Sequence, residues 1–287
     1  MKTLLNRIFY IFLCFMTFFT MAVLAFVIIF ILKEALPVFR EVSLIEFIFG
    51  NEWMPVEGIG KGTHFGIFNF IAATVYVSFL AMLIAVSVGL GAAVYLSCVA
   101  SSRARTFIYP FIDLLAGIPS VVYGFIGLNV LVRFFLKTGV HTGSCVLAAA
   151  IILSVMLLPY LVSSSSESLL KSRELYLKAG TALGVDKWYT IASVIIPASG
   201  KSLLRCMILA IGRAMGETMA VMMVIGNANL FPTLLGKSES IAAVIALEMG
   251  TAVNGSTHFH ALYAAGLVLI VIMLAINFGV KNLIKKL

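Results

Sequence analysis

The chain has 287 residues, of which 62% are hydrophobic and only 11% are charged. Soluble domains carry about 25% charged residues, and one soluble core could not hide this much apolar surface from water. The net charge is +8, but the basic residues flank long apolar blocks and do not form a basic module with interleaved aromatic residues. This placement excludes a nucleic acid partner. The sequence therefore predicts an all-α, polytopic membrane bundle.

Six apolar blocks are long enough to cross a hydrocarbon layer of ~30 Å at about 1.5 Å per residue. They are Ile8–Leu32, Ile67–Ala100, Ile108–Leu136, Ser144–Val162, Cys206–Ile225 and Ala261–Val280. The first block exceeds the roughly 7–15 apolar residues of a signal peptide, and Ala22–Ala25 inside it is a poor cleavage sequence. We therefore expect the first block to be retained as a membrane anchor.

The distribution of lysine and arginine predicts the orientation. With the amino terminus in the cytoplasm, thirteen of these residues fall on inside segments and six on outside segments or outer span ends. Cytoplasmic segments of membrane proteins are enriched in Lys and Arg. The chain is therefore expected to be a multi-pass protein surrounded by inner-membrane lipid, with both termini in the cytoplasm.

Two long segments are predicted on the outer side. Residues 33–66 contain five glutamates and two prolines and are expected to form a partly ordered cap. Residues 227–260 include Ile241–Leu247, which is too short to span and is predicted to be re-entrant or interfacial. His258 and His260 are two residues apart, which does not place them on one helix face, so no metal site is predicted.

The largest inside segment, residues 163–205, carries the most informative pattern. Apolar residues recur at helical spacing between Ser172 and Leu183, and Gly184 is predicted to end that helix. A second short helix is predicted from Asp186 to Ile196, where it meets Pro197. Such a unit suits a groove on a soluble partner, and it equally suits an amphipathic helix resting on lipid headgroups.

The spacing within this segment resembles the EAA loop of ABC importer permeases. Lys178–Gly184 are followed, after nine residues, by Val194–Pro197, and the glycine and proline stand at the family spacing. Lys178 occupies the glutamate position and Gly180 the second alanine position, with Glu174 as the nearby acid. The resemblance implies coupling to an ATP-hydrolysing partner through Glu174, Lys178, Ala179, Gly180, Gly184 and Pro197.

The resemblance extends beyond this loop. Leu114–Phe125 and Gly212–Val221 are similar to signatures of the PstC-type subunit of the phosphate ABC importer, and Trp53-x-Pro55 and Gly255–His258 are weaker echoes. The companion PstA-type subunit usually follows Gly-Glu-Thr with Ala-Pro, whereas this chain has Met219 and Ala220. The chain therefore resembles the PstC type.

This resemblance implies a type I ABC importer permease fold that carries inorganic phosphate across the inner membrane. It divides the chain into an amino-terminal helix with an outer segment, residues 1–66, and a permease core, residues 67–287, with the coupling loop at about 163–205. The implied partners are a PstA-like permease subunit, two ATP-binding subunits and a periplasmic or lipid-anchored phosphate-binding protein.

Two charged residues, Arg213 and Glu217, fall within the fifth apolar block, where each costs about 2.5–3.5 kcal/mol. Their i, i+4 spacing predicts an ion pair on one helix face that points away from lipid. The pair could fasten helices together, or Arg213 could meet a translocated anion, because its planar guanidinium matches two phosphate oxygens. Ser120 and Tyr123 are further candidates for the substrate pathway.

Sequence motifs for enzymatic chemistry are missing. The chain contains neither a G-x-x-x-x-G-K-[S/T] phosphate loop nor a G-x-S-x-G nucleophile elbow. The expectation is a transport subunit without a catalytic residue, a metal or a cofactor of its own, whose ATP is used by a partner. The alternatives are a permease for another oxyanion such as molybdate or sulfate, an intramembrane enzyme, and a membrane scaffold.

Overall fold

The computed structural model describes residues 2–55 and 62–286. Within these residues, six helices are long and apolar enough to cross a membrane, which confirms the predicted number. They are Asn6–Arg40, Phe68–Val99, Ser120–Lys137, Val146–Ala182, Lys187–Met215 and Thr257–Asn282. The structure thus confirms the all-α bundle, although several span boundaries differ from the prediction.

The amino-terminal unit consists of one long helix and a small cap. Helix α1 (Lys2–Ala35) leads into a 3₁₀ turn (Leu36–Arg40) and α2 (Leu44–Phe49), and strand β1 (Trp53–Met54) pairs antiparallel with β2 (His64–Phe65). The buried side chains of this cap, including Phe47 and Trp53, pack against Ile241 and Leu262. Residues 56–61 of the predicted cap, with Glu57, lie outside the described residues.

Helix α3 (Phe68–Val94) runs through the bundle and ends in a π-helical turn, Tyr95–Val99. The predicted third span, Ile108–Leu136, proves to be two separate helices. Helix α4 (Ser102–Ala116) has no buried residue, and the chain leaves helical geometry before α5 (Ser120–Ile126) begins. Pro119 explains this break, since proline disfavours helical geometry in the residue before it.

The third span therefore starts at Ser120 rather than at Ile108. It continues from α5 through a π turn (Gly127–Val132) into α6 (Arg133–Lys137). Asp113, which the sequence places inside this span, lies instead in the preceding α4.

Helix α7 (Val146–Ala182) is the central element of the bundle. Its first half is lined with small residues such as Ala148, Ala149 and Ala150, which are fully buried, and it packs against α3 and the later helices. The sequence predicts an end at Val162 and a separate helix from Ser172. The structure shows one unbroken helix instead, because no glycine or proline stands between these two positions.

The amino-terminal end of α7 is hydrogen-bonded to residues 224–236, around the start of the second predicted outer segment. Three successive backbone N–H groups donate to carbonyl groups outside the helix: Cys145 to Val224 (3.1 Å), Val146 to Gly236 (3.0 Å) and Leu147 to Leu234 (2.9 Å). These bonds satisfy N–H groups that have no partner within a helix.

After α7, the chain turns at Gly184 and enters α8 (Lys187–Thr190), a π turn (Ile191–Ile195) and α9 (Ile196–Met215). The predicted second helix starts where expected, capped by Asp186, but its predicted end before Pro197 is wrong. Pro197 stands in the first turn of α9, where its missing N–H costs little, and the helix continues past it.

The predicted fifth block, Cys206–Ile225, is also interrupted. Helix α9 ends at Met215, three residues are not helical, and α10 (Met219–Ile225) follows. After the outer segment come α11 (Ile241–Glu248), whose eight residues are too few to span, and α12 (Thr257–Lys286), which packs against α1.

Candidate functional site

Two broken helices meet inside the bundle. One break separates α4 from α5, and the other separates α9 from α10. Helices α5 and α10 touch so closely that a Cβ atom on Gly124 would lie 3.1 Å from the Ala220 Cα atom, and one on Gly127 would lie 2.8 Å from a methyl group of Val224. Because Gly124 faces Ala220 and Gly127 faces Val224, the two helices run in the same direction. Their starting ends, and hence the two breaks, lie side by side.

Tyr123 fastens the first break. Its side chain is buried, and its hydroxyl group donates a hydrogen bond of 2.8 Å to the Leu115 carbonyl group at the end of α4. The bond satisfies a carbonyl group that the helix end leaves without an internal partner. Ser120, the other predicted pathway residue on this helix, is half-buried at the first position of α5.

Arg213 and Glu217 stand on opposite sides of the second break. The predicted ion pair is absent from the described residues, where the salt bridges join other side chains. The prediction fails because α9 ends between the two positions, so i, i+4 spacing no longer places them on one face. The Glu217 carboxylate instead accepts a hydrogen bond from the Ala220 N–H (3.1 Å) and caps α10.

Arg213 is exposed in the last turn of α9, near the point where the breaks meet. A cation in the last helical turn interacts favourably with the carbonyl end of the helix dipole. The guanidinium group is therefore held at the breaks without being neutralised by Glu217.

Glu217 also lines a small cavity that contains buried hydroxyl groups. Thr74, Ser78 and Ser240 are at most 4% exposed and border this space of ≈ 10 Å³ together with Glu217. The Thr74 hydroxyl oxygen accepts a hydrogen bond of 3.0 Å from the Ile241 N–H, which ties α11 to α3. A cavity of this size is at the lower limit for one water molecule.

The end of the bundle that carries residues 163–205 presents an exposed tip. Leu183, Trp188 and Tyr189 are 80%, 61% and 62% exposed. The turn between α7 and α8 needs Gly184, whose φ is +71°, and the Asp186 carboxylate accepts hydrogen bonds from two N–H groups of α8. We call residues 183–190 the tip.

Gly180 sets how closely the two helices approach below the tip. A Cβ atom at this position would lie 2.7 Å from the hydroxyl oxygen of Thr190, which is buried. The remaining predicted coupling residues Glu174, Lys178, Ala179 and Pro197 are exposed. The apolar residues that recur between Ser172 and Leu183 do not all face the same surroundings. Tyr176 packs inward against the Cys98 region, whereas Leu175 and Leu183 face outward.

Residues 85–287 match the model of a family described as the binding-protein-dependent transport system inner membrane component. The chain belongs to this permease family.

Individual relatives cover most of the permease. A probable ABC transporter permease protein, YqgH of Bacillus subtilis, is 38% identical over 234 residues, which cover 80% of this chain and 74% of that protein. The phosphate transport system permease protein PstC of Xylella fastidiosa strain Temecula1 is 34% identical over 282 residues, covering 89% and 85%. A probable PstC of Methanocaldococcus jannaschii is 32% identical over 265 residues, covering 85% and 82%. The resemblance to PstC-type permeases is thereby confirmed.

Solved structures show the same fold. A chain from an inward-facing structure of the MetNI methionine ABC transporter superposes with a TM-score of 0.60 at 15% identity, covering 77% of this permease and 94% of that chain. The permease thus has the type I ABC importer fold.

Sequence reasoning missed one buried acid of the permease. Glu239, just before α11, is 7% exposed, and burial, followed by the nearby Glu248, raises the pKa of its carboxyl group to about 7. Glu248 accepts a hydrogen bond from the Trp53 indole (2.9 Å) and lies 2.7 Å from the His258 Nε2 atom. His260, two residues further on, contacts the Glu34 carbonyl oxygen at 2.7 Å. Burial of Glu239 depends on how the outer segment folds back, which no local pattern reveals.

The hydroxyl groups that line the small cavity beside Glu217 could have been found from a weak pattern in the sequence. Thr74 and Ser78 are spaced i, i+4 in an otherwise apolar block, which places both on one helix face. Such a pair predicts an inward-facing polar stripe in a membrane helix.

Proposed function

We propose that this permease is the PstC-type subunit of an ATP-driven importer and that it moves inorganic phosphate across the inner membrane. The relatives named PstC support phosphate as the substrate, since they cover most of the chain at 32–34% identity. The position of Arg213 carries the proposal at the level of chemistry. A permanent cation stands beside two helix breaks, within a span whose other residues are mostly apolar.

The pathway in this proposal runs between the permease and a second, homologous subunit. Arg213 is exposed in the single chain, so its own bundle does not enclose it. An unpaired guanidinium group would not be stable against lipid. A PstA-like partner on this face would convert the exposed position into the wall of a shared pathway, in which Arg213 meets the anion.

Coupling to ATP hydrolysis is assigned to the tip. Its exposed leucine and aromatic side chains form an apolar surface of the kind that docks in a groove on a partner protein. In this proposal both termini and the tip lie in the cytoplasm, where two ATP-binding subunits bind. A phosphate-binding protein outside the membrane delivers the substrate to the opposite end.

The decisive experiment measures uptake of labelled phosphate by cells that carry Arg213 variants. Arg213→Gln should reduce uptake by roughly 10-fold to 100-fold, because hydrogen bonds to a charged group contribute about 1.5–3 kcal/mol. Expression and binding of the ATPase should remain unchanged. Arg133→Gln is the matched control, since Arg133 is also exposed but stands in α6, away from the breaks; it should transport normally.

Variants of Glu217 distinguish a role of Arg213 in the transport pathway from a role in holding helices together. Glu217→Gln keeps an oxygen that can cap α10, so we expect a mild loss of uptake. Because the structure shows no ion pair to relieve, the double variant Arg213→Gln, Glu217→Gln should transport as poorly as Arg213→Gln alone. Parental uptake by the double variant would assign Arg213 to helix fastening and refute the pathway role.

The substrate itself is tested in the same cells. Unlabelled phosphate should compete with labelled phosphate, and sulfate or molybdate should not. Competition by sulfate or molybdate alone would replace phosphate with another oxyanion while leaving the pathway assignment intact.

A further inference from the structure

Two arginines flank the π turn that ends α3, on the side of the bundle that bears the tip. Arg105 lies in the first turns of α4, and Arg173 lies in the second half of α7. The Arg105 guanidinium group donates a hydrogen bond of 2.9 Å to the Ser97 carbonyl group in the π turn that ends α3. Leu169 and Leu177, each one helical turn from Arg173 on α7, pack in one cluster with Cys98 of the same π turn. Helices α4 and α7 therefore each place an arginine beside this buried turn.

Both arginines keep hydrogen-bond donors that can meet an acceptor outside the chain. Among the described residues, the Nε atoms of Arg105 and Arg173 make no hydrogen bond, but they are shielded from solvent and hence from a ligand. The terminal guanidinium nitrogens are not among these shielded atoms, and both side chains are only half-buried. A guanidinium group carries five N–H donors, so each arginine has donors left for an acceptor.

No carboxylate in the described chain supplies that acceptor. The nearest ion pair on α7 joins Lys171 to Glu167, and both side chains are largely exposed. The Asp186 carboxylate caps α8. The described salt bridges leave Arg105 and Arg173 without a counter-charge, although half-buried cations favour an anion nearby.

We propose that Arg105 and Arg173 bind the phosphate group of an anionic phospholipid. Guanidinium forks match phosphate oxygens, and basic pockets between membrane helices on the cytoplasmic side hold lipid headgroups. Helix α4 supplies the apolar half of the site. It buries no residue in the chain and exposes Phe107, Phe111 and Leu114 at i, i+4 and i+7 spacing, a surface along which acyl chains can lie.

The lipid assignment stands apart from the substrate of transport. It rests on Arg105, Arg173 and the face of α4 that carries Phe107 and Phe111, whereas α4 reaches the region around Arg213 only with its last turn, at Leu115. A headgroup at this place would hold α4 against α7 and the turn after α3. The lipid would thereby stabilise the packing at the base of the predicted coupling loop, residues 163–205.

The experiment is native mass spectrometry of the full chain, released from membranes in mild detergent and titrated with phosphatidylglycerol or phosphatidylcholine. The parental chain should retain one phosphatidylglycerol about tenfold more tightly than phosphatidylcholine. The pair Arg105→Gln, Arg173→Gln should lose this preference. The pair Arg103→Gln, Lys178→Gln removes two exposed cations from the same end and should keep it.

A second pair of variants shows whether a lost lipid preference could come from misfolding of the glutamine pair. Arg105→Lys, Arg173→Lys keeps both charges but lacks the planar fork, and should weaken retention of phosphatidylglycerol several-fold. Unchanged retention in both pairs would overturn the proposal.

Two other outcomes would reassign the arginines. If millimolar inorganic phosphate, rather than phosphatidylglycerol, stabilises the parental chain but not the glutamine pair, the site binds free phosphate and the lipid assignment is wrong. If the glutamine pair loses ATPase binding while lipid retention is unchanged, the arginines serve a protein partner and the proposal is overturned.

Discussion

At the scale of single residues, Glu239 is the clearest case of an environment that changes chemistry. Its carboxyl group stands outside the six candidate spans, is 7% exposed, and has a pKa raised from 4.5 to about 7 by burial and by Glu248. Between these two values the folded chain binds more protons than the unfolded chain. The contribution of Glu239 to the free energy of unfolding should therefore be most favourable below about pH 4.5. It should fall as the pH rises to about 7 and then level off.

This dependence can be measured by thermal unfolding in detergent at about pH 5 and about pH 8. The parental chain should lose stability between the two, by no more than about 3 kcal/mol from Glu239. Glu239→Gln should remove most of that loss, whereas Glu46→Gln, which alters an exposed glutamate of the same outer face, should retain it. Identical pH profiles for Glu239→Gln and the parental chain would show that Glu239 ionises normally.

Residue identity was easier to predict than residue environment. Arg213 stood out because charge is expensive in an apolar block, and that reasoning needs no neighbours. Its ion pair with Glu217 failed because pairing depends on an unbroken helix. The Gly180–Thr190 contact illustrates the same limit: the glycine was noticed as a departure from a motif, but the buried threonine that it accommodates lies ten residues away.

At the scale of elements, apolar length predicted the number of spans but not their interruptions. A hydropathy argument counts residues that avoid water, and it does not register where the backbone stops being helical. Both breaks nevertheless have local causes, at Pro119 and near Gly216, that could have been weighed against the apolar signal. The π turns at Tyr95–Val99 and Ile191–Ile195 had no comparable sequence signal.

The turn at Gly184 gives a prediction about coupling to the ATPase. A β-branched residue at φ +71° is strained, although a Cβ atom there would meet no neighbour within 4 Å. Gly184→Val should therefore leave the membrane bundle folded but reduce phosphate-stimulated ATPase activity of the assembled transporter. Gly184→Asn should restore much of that activity, because asparagine tolerates the left-handed region.

A packing control separates strain at the turn from a general effect of bulk. Gly200→Val places the same side chain in α9, where a Cβ atom also meets open space and φ is not positive. This variant should hydrolyse ATP normally. Equal activity of Gly184→Val and the parental chain would remove the turn from the coupling mechanism.

At the scale of the whole molecule, orientation is the property that most of the proposal depends on. The excess of Lys and Arg on one side predicts that the tip faces the cytoplasm. Labelling by an impermeant thiol reagent in intact cells tests this, in a background whose four cysteines are replaced. Asn254→Cys on the outer segment should react and Thr181→Cys beside the tip should not; both positions are exposed, so burial does not limit either reaction. The reverse pattern would invert the orientation.

The unbroken length of α7 has a mechanical consequence. Its 37 residues form a rod of about 55 Å, at about 1.5 Å per residue, that begins at the outer segment and ends at the tip. At one end its backbone is hydrogen-bonded to carbonyl groups near Gly236, and at the other Gly180 presses against Thr190. A tilt imposed at the tip therefore reaches the outer segment without passing through a loop. Pro159 removes one backbone hydrogen bond inside the rod, so α7 transmits the whole tilt only while it stays straight at that position.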